Sequence, residues 1–458
     1  MKRLFGSIII YFLSILIAYG QLNGNRLKVT PNGHYLEYED GTPFFWLGDT
    51  GWDLFKRLKL DEIKEYLDNR AAKGFNVIQA VALPEPDGLR NANRNGQVPL
   101  ENFDPTHPND KFFTLIDSTV HLAAARGIFI GLLPTWGDKV TKMWGTGPVI
   151  FDSVNAYIYG KWIGNRYRND PNIIWIAGGD RPAFTDTIDW RPVWRSMIKG
   201  IREGTGGKAL ITYHPSGESS STQFWKNESA LDLNMMQSGH RMHDLPVWEW
   251  IRKDYSLTPA KPVLDGEPNY EDHPVNWDPK NGYFRAYDVR KQIYRSVFSG
   301  ACGVTYGHNS IFQFYGQHDK KINFADRYWT EALDRPGAFQ AGYLKHLILS
   351  RPSLYRLPDQ GIIENEQGKA GDYMCAFRDS IGSYIMVYIP VGKTVTINTA
   401  SICSAKLRCW WFNPQTAQVK AIGVISNSKS VQMTSPTQGN GNDWVLVIDD
   451  AAKRYKKP

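Results

Sequence analysis

Cysteine is scarce in this chain: only Cys302, Cys375, Cys403 and Cys409 occur among 458 residues. They are too few and too scattered for a disulfide framework, and no spacing among them matches a zinc site. A bridge within the C-terminal region is compatible with export, but spacing alone gives no pairing. Dense Lys/Arg clusters are also missing, so the electrostatic footprint of a nucleic-acid partner is not there. Beyond the first twenty residues no apolar run is long enough to span a bilayer. Internal repeats and low-complexity linkers are absent too. What remains is a globular composition, 42% hydrophobic and 22% charged, in a chain long enough for two domains.

The N-terminus, "MKRLFGSIIIYFLSILIAYGQ", places Lys2 and Arg3 before an apolar run that ends in the small residues Ala18 and Gly20. This is the pattern of a secretory signal peptide over residues 1–20, cleaved just before Gln21, and it predicts a secreted or periplasmic protein. An uncleaved anchor is the alternative, but the run is shorter than the ~20 residues of a membrane span. No cysteine sits at the cleavage point to carry a lipid, so no stable membrane insertion is expected afterwards. Loss of Lys2 and Arg3 lowers the formal charge from +7 to +5. That mild basic excess suits an anionic polymer such as pectin. Aromatics reach 13%, with 16 tryptophans; these furnish either a large core or a cleft whose ring faces pack on the C–H faces of sugars.

After an alternating stretch with Asn-Gly and Asp-Gly turns, which predicts a small hairpin, strand and helix patterns alternate. Strands are predicted from Phe44–Leu47 and over 75–83, 128–137, 172–180, 209–215, 233–240, 262–271 and 303–310. Short apolar runs without alternation mean strands buried on both faces, hence a parallel sheet. Eight such units over some 300 residues predict an α/β fold of the (β/α)8 TIM-barrel type at 21–351. A doubly wound open sheet is the alternative, but no glycine-rich phosphate fingerprint follows the first strand. From 352 to 458 short strands separated by Gly, Asn, Asp and Ser predict an all-β sandwich. Its "CWWFNP" offers one tryptophan to a core and a second to either core or a ligand platform.

Polar residues collect where the predicted barrel strands end: Asp49, Thr50 and Trp52; Glu85 and Asp87; Trp136 and Asp138; Asp180 and Arg181; His214; Gln237 and His240; Glu267, Tyr270 and Glu271; His308. Barrel enzymes build their sites on this face. One polar residue at a strand end is usually a cap, whereas a full ring of them predicts a substrate cleft. Hydrolysis of a glycosidic bond requires two carboxyl groups, one protonated and one ionised. Asp180 at strand four and Glu267 at strand seven face each other across a closed barrel. Glycines before Asp180, and Gly266 and Pro268 around Glu267, would set the backbone for that role. The competing reading pairs Asp180 with Arg181 and makes Glu267 a cap. An acid must stay protonated, so Arg181 is expected to point away from the Asp180 carboxyl, toward substrate or structure, with Trp175 or Trp136 burying the acid; an Asp180–Arg181 ion pair would count against Asp180 in that role. Asp49, Asp87, Arg181, His214, Gln237 and His240 are candidate hydrogen-bonders to sugar; Trp52, Trp136 and Tyr270 are candidate stacking surfaces. His240, His214 and Asp49 match no metal-ligand motif, so neither metal nor other cofactor is expected.

The runs "WLGDTGWDLF", "LLPTWGDKV", "NIIWIAGGDRP", "ITYHPSG", "NMMQSGH" and "VLDGEPNYEDHP" closely resemble the apiosidase-like glycoside hydrolase family, over nearly the whole barrel. The C-terminal part resembles the sandwich named there as a collagen-binding domain, although nothing in the sequence indicates collagen. The resemblance implies a hydrolase acting on apiose-linked bonds in plant cell-wall pectic polysaccharide, with Asp180 as general acid/base and Glu267 as nucleophile. Related retaining barrels carry Asn-Glu at strand four, whereas this chain has Gly-Asp. A retaining enzyme would hold its carboxyls ~5–5.5 Å apart, an inverting one ~6.5–9.5 Å. Arabinofuranosidase or β-glycanase activity on the same barrel, and a non-catalytic carbohydrate-binding protein, are the alternatives. The sequence says nothing of oligomeric state.

Overall fold

Eight short apolar runs form the staves of one parallel barrel: Trp46–Thr50, Val77–Val81, Phe129–Leu133, Ile173–Gly178, Ile211–His214, Asn234–Gln237, Val263–Asp265 and Gly303–Tyr306. The structure is a computed structural model that describes residues 26–85, 88–226 and 228–458. The signal segment read at 1–20 and Asp87 therefore lie outside the described residues. Strands one to five pair in order, and strand one pairs with strand eight, which runs back through seven to six. Between strands five and six there is no continuous ladder. The seam is held by the Asp232 amide on the Ile211 carbonyl (2.8 Å) and by the Thr212 hydroxyl on the Leu233 carbonyl (3.0 Å). Above it a return segment, Ser219–Ser220, pairs antiparallel with strand six.

The uniformly apolar strands follow from burial on both faces. In strand four Ile174 and Ile176 point into the barrel with Val77, Leu133, Met235 and Leu264, while Ile173, Trp175 and Ala177 point outward to the helices. Trp175 thus packs against Tyr167 on the helix side (6.4 Å between rings) and cannot bury the Asp180 carboxyl, contrary to expectation. An N-terminal three-stranded ribbon, Leu27–Val29, Leu36–Tyr38 and Pro43–Phe44, closes the floor. Its Phe44 meets Phe129, the first residue of strand three, edge to face at 5.3 Å.

From Arg356 onward a six-stranded antiparallel sheet faces a two-stranded ribbon, Gly392–Asn398 with Ser430–Gly439. The strand Tyr384–Ile389 is apolar at every position because both of its faces are covered. Ile385 and Val387 join the core under the ribbon, whereas Tyr384, Met386 and Tyr388 pack on the barrel helix Ala286–Phe298 through Tyr294 and Phe298. The "CWWFNP" tryptophans are both structural. Trp411 is core, and Trp410 packs at the barrel-facing side with its indole N–H donated to Asp449 (3.1 Å). All four cysteines are free thiols. No helix among the described residues is long and apolar enough to cross a membrane.

Two buried ion pairs cross the junction: Arg290 with Asp443 (2.6 and 2.7 Å) and Arg351 with Asp449 (2.8 Å on both arms). Removing one partner of such a pair strands the other charge in the interior, at a cost of about 3–5 kcal/mol. Asp443→Ala is expected to lower unfolding stability in denaturant by that amount; a loss below about 1 kcal/mol would show that the junction does not depend on it.

Candidate active site

Strand four ends in three successive residues with positive φ: Gly178 (87°), Gly179 (119°) and Asp180 (52°). The glycines are required by neighbouring backbone. A Cβ on Gly178 would stand 2.3 Å from the His214 carbonyl oxygen, and one on Gly179 would stand 2.7 Å from the Gly137 nitrogen. In return the turn is hydrogen-bonded on both sides, Gly179 N–H to His214 O (3.0 Å) and Gly137 N–H to Gly179 O (3.1 Å). Asp180 itself holds a left-handed conformation that costs a non-glycine residue of order 1–3 kcal/mol, an expense usually found at functional sites. The Gly-Gly-Asp ending thus swings the Asp180 carboxyl to the barrel mouth, where it borders the cavity.

Glu267, 5% exposed, sits just past strand seven with an imidazole on each oxygen. His240 Nε2 lies 3.2 Å from Oε1, and His214 Nε2 lies 2.9 Å from Oε2. The Asp180 amide donates to His214 Nδ1 (3.2 Å), which leaves Nε2 to carry the ring proton, close to Glu267 Oε2 but not in hydrogen-bond geometry with it. One imidazole ring thus links the two acidic residues. Burial alone would raise the Glu267 pKa, but the two histidines overcome it and hold the carboxyl well below the usual range.

Asp180 goes the other way. Its side chain is 26% exposed to the cleft, yet its pKa is raised, first by burial and then by the Glu267 charge, against the pull of Arg181, the Trp144 N–H and His214. The expectation that Arg181 points away fails, and the ion pair it forms instead counts against Asp180 as the acid. Its Nη1 lies 3.0 Å from Asp180 Oδ2 and donates to the Asp180 carbonyl (2.7 Å). Two features limit that pull. The guanidinium is shared with Glu85, 3.2 Å from Nη2, and it stacks 4.5 Å beneath the Trp144 ring. Arg181 is fully buried and so acts on the cleft only through the lining residues it contacts, Asp180, Glu85 and Trp144.

A cavity of about 390 Å³ opens above the barrel, and Asp180, Glu267, Trp52, Trp136, Gln237, His240 and Tyr270 all border it. The Trp52 indole donates to the Tyr270 hydroxyl (3.1 Å), which fixes both rings in the wall. His214 lies behind Glu267, and Asp49 is placed elsewhere. Asp49 is fully buried in an ion pair with Arg70 (2.5 Å) and accepts from the Tyr66 hydroxyl (2.6 Å). A side chain so enclosed ties strand one to helix Leu60–Ala72 and has no face for a sugar.

Sequence reasoning passed over several lining residues. Trp144 donates to Asp180 Oδ2 (2.9 Å), Trp277 ends the short 3-10 helix Val275–Trp277, and His273 and Asn323 come from loops without periodicity. Asp53 is another. Burial pushes its carboxyl up to about 7, opposed by Arg57, whose Nε lies 3.3 Å from Oδ2. An unfolded aspartate titrates near 3.9. The folded protein therefore favours the protonated form, and the associated stability is present below pH ~4 and lost as pH rises toward ~7. Asp53→Asn is expected to stabilise the protein relative to wild type at pH 8 by more than ~1 kcal/mol, and to leave it nearly unchanged at pH 4. Denaturant unfolding at the two pH values checks this, and an equal effect at both would refute it.

Comparison with known proteins agrees with this architecture. Residues 30–354 match the family model "Apiosidase-like, catalytic domain", and residues 357–449 match "Putative collagen-binding domain of a collagenase". A glycoside hydrolase family 5 structure from Bacteroides vulgatus ATCC 8482 is 34% identical, with 95% of this chain and 96% of that chain covered at a TM-score of 0.88. A second solved glycoside hydrolase is 33% identical over 95% of this chain and 99% of its own, at 0.87. No curated protein matches. The chain belongs to the apiosidase-like family and is a glycoside hydrolase, with a carbohydrate substrate.

Proposed function

We propose that this enzyme cleaves apiose-linked bonds in pectic polysaccharide by a two-carboxylate retaining mechanism, with Asp180 as acid/base and Glu267 as nucleophile. The observation that carries the reading is the opposite displacement of two carboxyls in one cavity, Asp180 upward and Glu267 downward. Pairs whose environments push their pKa values apart mark the acid and the base. Protonated Asp180 donates to the bridging oxygen while ionised Glu267 attacks the anomeric carbon.

The electrostatics also account for the second half-reaction. Part of what keeps Asp180 protonated is the Glu267 charge. Forming the glycosyl ester removes that charge, while Arg181, Trp144 and His214 remain and favour the carboxylate. Asp180 then becomes the base that takes a proton from water. Trp52, Trp136 and Tyr270 stack on the sugar, and Gln237 and His240 bond its hydroxyls. Arg181, Asp49 and His214 act as supports behind the cleft. The apiose and pectin assignments rest on the family resemblance. Another terminal sugar on the same barrel is the competing reading, since cleft shape and not the acid pair selects the sugar. The protein is proposed to be exported through cleavage before Gln21, which N-terminal sequencing of the mature chain checks; a retained Met1 would refute it.

The deciding experiment incubates apiose-bearing pectic oligosaccharides with the enzyme and with Glu267→Gln. Release by the parent with retained anomeric configuration, read by NMR, and a loss of at least ~10³-fold in the variant are expected. Inversion would overturn the nucleophile role. No release by either would remove the apiose assignment and direct the search to arabinan and glucan.

A further inference from the structure

Besides Asp180 and Glu267 the cavity is bordered by Glu85, which follows strand two with its side chain 23% exposed. The two-carboxylate mechanism makes no use of it. Its partner is Arg181, whose Nη2 lies 3.2 Å from Oε1 and 3.4 Å from Oε2, while Nη1 serves Asp180. The buried guanidinium, with Nε unpartnered, thus carries one positive charge between two carboxyls. One ion pair neutralises it, and the second carboxyl of such a group is left to hold a proton. We infer that Glu85 is a positioning residue for the reaction: it completes the Arg181 ion pair, so that Asp180 keeps the proton it must transfer. The inference rests on the two-carboxylate reading, and it accounts for an acid that stands beside an arginine.

The surroundings decide which of the two carboxyls holds the proton. Burial and Asp138 raise the Glu85 carboxyl, against Arg181 and Lys139, so the two acids titrate as a pair on one cation. Asp138 is itself paired with Lys139 at 2.6 Å. Asp180, in contrast, faces the ionised Glu267, and after burial that charge is the largest influence keeping its carboxyl protonated. One loop fixes the arrangement residue by residue. Trp144 covers the guanidinium and donates to Asp180, Thr146 N–H donates to Glu85 (3.3 Å), and Gly147 N–H donates to Asp138 (2.8 Å). Gly145 lies among them, where a Cβ would stand 2.5 Å from Glu85 Oε1. The remaining charged or titratable neighbours are His214 and His240 at Glu267, and Asp53 with Arg57 on the strand-one side of Glu85. All of these are the same in a variant changed only at Glu85.

The test is the pH profile of kcat/KM on whichever oligosaccharide of a pectic, arabinan and glucan panel the wild type cleaves fastest. Activity is lost as pH rises through the pKa of the acid. With Glu85 uncharged, Asp180 becomes the sole carboxylate partner of Arg181 and gives up its proton at lower pH. Glu85→Gln is therefore expected to move the alkaline limb toward acid by about one pH unit or more. Glu85→Asp, which restores the charge, is expected to move it back. The position of a limb does not depend on the folded fraction of the variant. A limb that stays in place in Glu85→Gln while kcat/KM drops equally at every pH would assign Glu85 to holding the loop and overturn the inference. A limb displaced as far in Glu85→Asp would do the same. Failure of the underlying mechanism shows separately, as cleavage of the same oligosaccharide that survives Asp180→Asn or Glu267→Gln.

Discussion

Glu267 is buried deeply enough to be neutral, and it is ionised because two imidazoles face its oxygens. Nearly everything else in the site follows from that clamp. His214 keeps its ring proton on Nε2, beside Glu267, because its other nitrogen accepts the Asp180 amide. That amide is in place only because Gly178 and Gly179 take conformations that let strand four close on strand five and the Trp136–Gly137 turn. The negative charge so maintained then helps to hold the proton on Asp180. The acid pair is one electrostatic unit distributed over strands four, five, six and seven.

The second support comes from behind. Asp265, two residues before Glu267, accepts hydroxyls from Ser238 and from Ser296 of helix Ala286–Phe298, and Gln292 of that helix donates to Ser238. The other side of the helix carries the six-stranded sheet. The sandwich is therefore mechanically continuous with the strand that presents Glu267.

The barrel was legible because double-sided burial writes uninterrupted apolar runs, and because polar residues cannot be spent at eight strand ends for stability alone. Extent was less legible. The run at 262–271 yields only Val263–Asp265 as strand; Gly266 still donates to the Met236 carbonyl (2.8 Å), but Pro268 has no N–H with which to carry the ladder past Glu267. Asp49 was misread because a strand-end acid says nothing of its direction; its partner Arg70 stands on a helix 21 residues away. Arg181 was misread for a different reason. Adjacency in sequence suggested only attraction or avoidance, whereas the fold supplies Glu85 and Trp144 to divide its charge. Trp144 lies in a loop and Trp277 in a three-residue 3-10 helix, neither with a period to betray it. The one available signal was tryptophan within Gly/Pro- and Asn-rich segments, where a large ring has no core to enter.

Helix Ala286–Phe298 is buried along every residue from Val289 to Phe298, half by barrel and half by sandwich. During synthesis its outer flank has nothing to lie against until the strands between Cys375 and Asp450 have emerged. A barrel without its sandwich would leave the Tyr294 and Phe298 flank of this helix as an exposed apolar seam, on the same helix whose Ser296 holds Asp265 two residues from Glu267.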